Sequence, residues 1–123
     1  MKTIATSSAP GAIGPYSQAI SIEGLVYTSG QIAINPATGE IDASGIEAQT
    51  EQVMHNLAAV LEAAGSDLTK AVKTTCFLKD IRDFAAFNAV YAQYFTGKPA
   101  RSCVEVPNLP KGALVEVEVV AEI

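Results

Sequence analysis

The sequence predicts an α+β domain, with two helices on one face of a mixed six-stranded sheet. Two segments repeat apolar residues at helical spacing, and six shorter segments rich in strand-forming residues lie between turn residues. Along the chain these elements follow the order β-β-β-α-β-α-β-β. Because a length of 123 residues suits one domain, we assign residues 1–123 to a single domain.

Three short strands are predicted near the start of the chain. Lys2–Thr6 forms the first strand, and the segment Pro10–Tyr16, rich in Pro and Gly, forms a loop. The next two strands, Ala19–Ile22 and Leu25–Gln31, lie on either side of Glu23-Gly24, which is a hairpin signal. We therefore expect these two strands to pair.

The strongest helix prediction is Ile46–Ala64, which follows the turn-rich segment Asn35–Gly39. Its apolar residues fall at positions 46, 53, 57, 61 and 64, with spacings of three, four and seven. Gly65 is expected to cap the C-terminus of this helix.

The second half of the chain begins with a strand over Ala71–Leu78, whose residues 72, 74, 76 and 78 share one face. A second helix follows, capped by Asp80 or Asp83, and ends before Gly97-Lys98-Pro99. The apolar stripe of this helix consists of Phe84, Phe87, Tyr91, Tyr94 and Phe95.

The composition favours a protein that associates with copies of itself. Hydrophobic residues make up 49% of the chain and charged residues only 17%, whereas typical domains have about 25% charged residues. A small protein with few charges has difficulty covering its surface with polar groups. Burial of apolar surface in a homo-oligomer resolves this difficulty.

Several classes of protein are disfavoured by charge and cysteine content. The net charge is −5 and no run of Lys and Arg occurs, so nucleic acid binding is not expected. No apolar run reaches the roughly 18 residues of a membrane span. With two cysteines and no secretory signal, we expect a cytoplasmic protein with reduced thiols. One His and two Cys are too few for a structural zinc site, so no metal is expected.

The two closing strands, Arg101–Val106 and Ala113–Ile123, carry the most informative polar residues. Side chains two residues apart share a strand face, so Arg101 and Cys103 lie together, as do Glu116 and the next glutamate. An antiparallel pair of these strands, turned at Asn108-Leu-Pro-Lys-Gly112, could bring the two faces together. A charged face framed by valines is typical of a solvated sheet surface or of a site for a small carboxylate.

Six segments, in this order and at these spacings, resemble the reactive intermediate (2-enamine/2-imine) deaminase family, which is RidA-like. The resemblance covers essentially the whole chain. The segments are Gly14-Pro-Tyr-Ser-Gln-Ala19, Ser29-Gly-Gln31, Asn88-x-x-Tyr91, Pro99-Ala-Arg-Ser-Cys-Val-Glu-Val106, Leu109-Pro110 and Val115-Glu-Val-Glu118.

The resemblance implies a chorismate-mutase-like fold and a homotrimer with three sites in the clefts between subunits. It implies the hydrolysis of 2-enamine or 2-imine acids, such as 2-aminoacrylate, to 2-keto acids and ammonia. Pyridoxal-phosphate-dependent dehydratases release these unstable compounds. Lys98 departs from the family pattern, because an aromatic residue often precedes the proline there, and the connection to Arg101 is short. This departure affects the shape of one pocket wall.

Arg101 and Glu116 are the predicted catalytic residues. A guanidinium grips a carboxylate with two parallel hydrogen bonds, and the resemblance implies that Arg101 binds the substrate in this way. A carboxylate can orient water and relay a proton, a role that the resemblance assigns to Glu116. From the residues alone, Arg101 also fits a surface ion pair and Glu116 an outward-facing strand residue.

The remaining predicted binding residues shape the cleft. The Gly30 backbone, with Ser29, is expected to help hold the carboxylate, and Tyr16 to close the pocket. Cys103 is predicted to be a pocket wall rather than a nucleophile, since no partner base is evident. Asn88 either contacts the site or caps a neighbouring loop.

No cofactor is expected, because an imine carbon is already electrophilic. Two other functions fit the sequence. The same cleft could bind 2-keto acids or other small carboxylates without turnover. A ribonuclease or translation inhibitor, an activity associated with relatives, is disfavoured by the acidic charge and by the lack of a His pair.

Overall fold

Six strands and two helices occur in the computed structural model, which describes residues 1–123. Their order along the chain is the predicted one. Neither helix combines the length and apolarity needed to cross a membrane. The elements are β1 (Lys2–Ile4), β2 (Ala19–Ile22), β3 (Leu25–Thr28), α1 (Ile46–Ala63), β4 (Ala71–Leu78), α2 (Phe84–Tyr94), β5 (Ala100–Glu105) and β6 (Val115–Glu122).

The strands form one mixed sheet with the order β1-β2-β3-β6-β4-β5. All neighbouring pairs are antiparallel except β4 and β5, which are parallel. The expected antiparallel pairing of the two closing strands is therefore wrong, because β4 lies between them. The reason is that α2 carries the chain from the end of β4 back to its start, which makes β5 parallel to β4. The last strand then fills the gap between β3 and β4.

Both helices pack on one face of this sheet, as predicted. Val53, Leu57 and Leu61 of α1 are fully buried against alternate residues of β6, which include Val115 and Val117. The helix ends as expected, because Gly65 has a positive φ of 83° and its N–H donates to the carbonyl of Glu62 at 3.0 Å.

The predicted buried face of β4 is wrong at one residue. Residues Thr74, Cys76 and Leu78 are buried as expected, but Val72 is 45% exposed. The pairing register with β6 shifts between Ala71 and Lys73. This bulge turns Val72 away from the core.

The opposite face of the sheet carries no helix. Glu116, Phe77 and Val104 are register partners across β6, β4 and β5, and their side chains point to this open face. Three large apolar side chains stay exposed there, since Ile22, Tyr27 and Val104 are 43%, 45% and 46% exposed. The open face is thus partly apolar and contains the Glu116 carboxylate.

Candidate active site

Arg101 lies on the edge strand β5 and points toward α2, on the helix side of the sheet. Its Nη1 donates a hydrogen bond of 2.6 Å to Oδ1 of Asn88. Its guanidinium carbon lies 4.8 Å from the ring centroid of Tyr91 and 5.4 Å from that of Phe84. None of the three ion pairs of the structure involves Arg101. The guanidinium is therefore positioned by neutral groups and has no carboxylate partner.

The residues that hold Arg101 come from one face of α2. Asn88 follows Phe84 by four residues and precedes Tyr91 by three, a spacing that aligns side chains on a helix. The Tyr91 hydroxyl is hydrogen-bonded to Oγ1 of Thr74 at 2.7 Å, and its ring stacks on Phe95 with centroids 4.5 Å apart. Because Tyr91 is fixed on both sides, it gives the guanidinium a rigid support.

A cavity of ≈490 Å³ surrounds this face of Arg101. Lys98, in the turn before β5, also borders it. The lining residues are Asn88, Tyr91, Ala92, Phe95, Thr96, Lys98, Pro99 and Arg101.

Glu116 lies on the opposite face of the sheet, beside the segment that follows β3. Gln31 and Val117 exchange backbone hydrogen bonds of 2.9 and 3.1 Å, and this bridge holds Gly30 against Glu116. A Cβ atom on Gly30 would lie 2.4 Å from Oε2 of Glu116, so only glycine leaves room for the carboxylate. The Gly30 N–H takes part in none of the hydrogen bonds of the structure. A free donor and a carboxylate thus lie side by side.

Glu116 is half-buried, and its environment favours the protonated form. Burial raises the pKa of its carboxyl above the ordinary value, and the charge of nearby Glu118 raises it further. A shift in this direction brings the carboxyl closer to the condition in which it can both release and accept a proton during a reaction.

A second cavity, of ≈530 Å³, surrounds Glu116. The Ser29 hydroxyl donates to the carbonyl of Ser17 at 2.6 Å, so it fixes the loop rather than pointing a free group into the cavity. The half-exposed Tyr16 hydroxyl accepts from the Ile13 N–H at 3.3 Å. The lining residues are Pro10, Gly11, Ile13, Tyr16, Ser29, Gly30, Gln31, Ile32, Ile34, Pro110, Lys111 and Glu116.

One protomer does not bring the predicted catalytic pair together. Arg101 and Glu116 lie on opposite faces of the sheet, and the two cavities share no lining residue. Asn88 belongs to the Arg101 cavity, whereas the cavity around Glu116 includes Tyr16, Ser29 and Gly30.

Neither cysteine is activated as a nucleophile. Cys103 is half-buried on β5, and burial raises the pKa of its thiol although the Arg101 charge opposes this shift. Its register partner Cys76 is fully buried, and burial raises the pKa of that thiol to about 12. The only histidine, His55, is exposed on α1 and borders neither cavity. No base therefore stands ready to deprotonate Cys103.

Sequence reasoning missed the role of two aromatic residues. It assigned Phe84 and Tyr91 to the apolar stripe of the second helix, whereas the structure places both rings against Arg101. The helical spacing of these residues with Asn88 was a usable signal. It also missed Gln18, whose buried amide donates to Thr6 and Pro10 carbonyls at 3.0 and 2.7 Å and ties down the loop beside the Glu116 cavity.

Comparison with known proteins identifies the family of this chain. A family model described as endoribonuclease L-PSP matches residues 6–123. The chain belongs to this family. It is the family that the sequence motifs indicated, and its members include proteins named 2-iminobutanoate/2-iminopropanoate deaminase.

Individual members of the L-PSP family have different names. A Lactococcus lactis protein whose name includes the words regulator AldR is 56% identical over 124 residues, covering 100% of this chain and 98% of the relative. The 2-iminobutanoate/2-iminopropanoate deaminase of Escherichia coli K12 is 50% identical, covering 98% of this chain and 96% of the relative. A solved structure of E. coli TdcF with bound serine has a TM-score of 0.94 and 42% identity, covering 100% and 99% of the two chains.

Proposed function

We propose that this protein hydrolyses 2-enamine and 2-imine acids, such as 2-aminoacrylate, to 2-keto acids and ammonia. The observation that carries the proposal is the Arg101 guanidinium, which is oriented by Asn88, Tyr91 and Phe84 and has no carboxylate partner of its own. A relative named for this deaminase activity, at 50% identity, supports the reaction class. A relative with bound serine supports a small ligand with a carboxylate.

Arg101 is the proposed carboxylate clamp. With Nη1 directed to Asn88, its other N–H groups remain available for the two parallel hydrogen bonds that a carboxylate accepts. Each charge-assisted bond of this kind contributes about 1.5–3 kcal/mol. Because both aromatic rings face the guanidinium, they limit its rotation and fix the direction of the fork.

Glu116 is the proposed proton relay. An enamine first becomes an imine when its C3 carbon takes a proton. Water then adds to C2 to give a carbinolamine, its nitrogen takes a proton, and the C–N bond breaks as the hydroxyl proton is lost, which gives ammonia and the keto acid. A carboxyl whose pKa is raised by burial can direct the water and move these protons. The free N–H of Gly30 lies beside this carboxylate and offers a second contact to the substrate.

The proposed site is shared between copies of the chain in a homotrimer. A three- or four-carbon acid cannot touch both faces of one sheet, so Arg101 of one copy must meet Glu116 of another. The exposed apolar side chains Ile22, Tyr27 and Val104 on the open face support such packing, because a second copy would bury them. We place the protein in the cytoplasm, where pyridoxal-phosphate-dependent dehydratases would supply its substrates.

The test couples the purified protein to a serine or threonine dehydratase and follows keto-acid release. We expect Arg101→Ala to reduce the enzyme-dependent rate by about 10²–10⁴-fold, the loss of two charge-assisted bonds of about 1.5–3 kcal/mol each. Arg101→Lys keeps the charge without the fork and should recover only part of the rate. A wild-type rate in Arg101→Ala would refute the assignment.

Mixed oligomers test the shared site. When inactive Arg101→Ala and inactive Glu116→Gln chains are refolded together, some clefts pair an intact arginine with an intact glutamate. We therefore expect activity to return in the mixture but in neither parent. A mixture that stays inactive, or a chain that sediments as a monomer, contradicts the shared cleft.

A non-catalytic carboxylate sensor is the second candidate, and the relative named as a regulator favours it. Calorimetry with 2-ketobutyrate distinguishes the two candidates, since tight binding with no rate enhancement indicates a sensor. The family description also raises endoribonuclease activity. RNA cleavage that persists in Arg101→Ala would require a different site.

A further inference from the structure

The Arg101 cavity has an unusual charge for this protein. The chain has 13 acidic and 8 basic residues, but the eight residues that line the cavity include Arg101, Lys98 and no carboxylate. None of the ion pairs of the structure involves either cation. Two residues with unpaired positive charges therefore border one small cavity, and their charges favour a ligand with more than one negative charge.

The backbone at Lys98 is fixed by its surroundings. Lys98 has a positive φ of 52°, a conformation that residues with side chains adopt infrequently. Its N–H donates to the carbonyl of Phe95 at 3.1 Å. The preceding Gly97 is packed so closely that a Cβ atom there would lie 3.0 Å from the carbonyl oxygen of Thr69. The turn is thus tied both to the end of α2 and to the segment before β4.

We propose that Lys98 binds the distal carboxylate of 2-imino dicarboxylic acids, so that this class of substrate is preferred over 2-imino monocarboxylic acids. The inference rests on the proposed deaminase function and names the substrate class of the same site. Arg101 holds the carboxylate next to the imine carbon, and Lys98 holds the second carboxylate. Three residues of chain span at most about 10 Å, which keeps both cations within reach of one small diacid.

The two cations suit these different tasks. The carboxylate next to the reacting carbon needs a fixed orientation, which the planar guanidinium provides. The distal carboxylate needs only charge, and its position changes with the length of the substrate. A lysine on a flexible four-carbon stem accommodates that variation.

The experiment compares imines from acidic and neutral amino acids. An amino-acid oxidase generates the imino acids in situ from aspartate and glutamate, or from alanine and 2-aminobutyrate, and keto-acid release is measured above spontaneous hydrolysis. The readout is the ratio of kcat/KM for the dicarboxylate to kcat/KM for the monocarboxylate. We expect Lys98→Gln to lower this ratio about fivefold and Lys98→Glu to lower it further. Lys98→Arg should restore most of it.

Lys70→Gln is the matched control, because it removes one exposed lysine charge outside both cavities. It should leave the ratio at the wild-type value. High salt should lower the wild-type ratio and have little effect on the ratio of Lys98→Gln, since exposed ion pairs are screened.

The outcomes separate this inference from the proposed function. If monocarboxylate imines are hydrolysed but Lys98→Gln leaves the ratio unchanged, the inference is overturned and the deaminase function stands. If no imine is hydrolysed faster than in buffer, the deaminase function fails. In that case calorimetry still tests the contact between Lys98 and a second carboxylate. This contact requires 2-ketoglutarate to bind more tightly than 2-ketobutyrate in the wild type but not in Lys98→Gln.

Discussion

Gly30→Ala tests whether the position of the Glu116 carboxylate matters for the reaction. The added Cβ would lie 2.4 Å from Oε2, 2.8 Å from Cδ and 3.0 Å from Cγ of Glu116. The backbone φ of Gly30 lies outside the positive range, so alanine brings no backbone strain there. The backbone N–H also remains. The substitution therefore acts on Glu116 by contact alone.

The expected magnitude follows from these distances. Ordinary van der Waals contact begins at about 3.5 Å, so the carboxylate oxygen must move by about 1 Å. A displacement of about 1 Å at a reacting group can cost about 10²-fold in rate. The effect on stability should be much smaller, because an off-rotamer side chain costs about 0.5–1.5 kcal/mol. We thus expect a large loss of activity in a folded protein.

The assay is the dehydratase-coupled release of keto acid, with the free energy of unfolding measured by urea denaturation. A double-mutant cycle isolates the cause. In the Glu116→Ala background the clashing carboxylate is absent, so adding Gly30→Ala should have little further effect on the residual rate.

Gly11→Ala is the matched control for this prediction. Gly11 borders the same cavity as Gly30, but a Cβ there would meet no atom within 4 Å. It should retain nearly wild-type kcat/KM. The reasoning is wrong if Gly30→Ala stays within about twofold of wild type, or if it lowers the rate equally with and without the Glu116 side chain.

Three further predictions concern Asn88, Glu116 and the two cysteines. Asn88→Ala should lower kcat/KM about tenfold, the loss of one charge-assisted bond to Arg101, whereas Asn88→Asp should raise KM further by neutralising the guanidinium; steady-state kinetics on both variants checks this. Because burial raises the pKa of Glu116 in the folded protein, its ionisation costs stability as pH rises from the unfolded value of about 4.3 through the folded one. Glu116→Gln should therefore gain stability over wild type as pH is raised from 4 to 8, and equal denaturation midpoints across that range would contradict the raised pKa. Iodoacetamide should label Cys103 slowly, because burial raises the pKa of its thiol, and Cys76 only after unfolding, because burial raises the pKa of that thiol to about 12. Peptide mass spectrometry with and without urea measures the labelling, and rapid labelling of Cys76 without urea would contradict the prediction.

Local patterns in the sequence were sufficient to predict the elements. The strand Ala71–Leu78 has the predicted bounds, and the first helix ends one residue before the prediction. The spacing of apolar residues is informative here because the core lies on one side of each element. Alternate residues are therefore apolar in a strand, and residues three and four apart are apolar in a helix. Val72 broke the pattern, since a bulge is a property of two paired strands and not of one.

The partner of each strand could not be predicted in the same way. A strand offers hydrogen-bonding groups along both edges, and nothing local in Arg101–Val106 distinguishes β4 from β6 as its neighbour. The crossover through α2 decided this question by returning the chain parallel to β4. The pairing registers then place Arg101 beside Thr74 and Glu116 beside Phe77, on opposite faces of the sheet.

The sequence by itself determined which chemical groups the protein has and, apart from the bulge at Val72, which face of its own strand or helix each predicted core residue occupies. It also contained enough ordered motifs to indicate the family. Only the tertiary structure decided that Asn88, Tyr91 and Phe84 hold Arg101 and that Gly30 leaves room for Glu116. It also decided that Arg101 and Glu116 border two different cavities. The physical reason is that side-chain direction follows from local backbone geometry, whereas distances between elements depend on how the whole sheet is assembled.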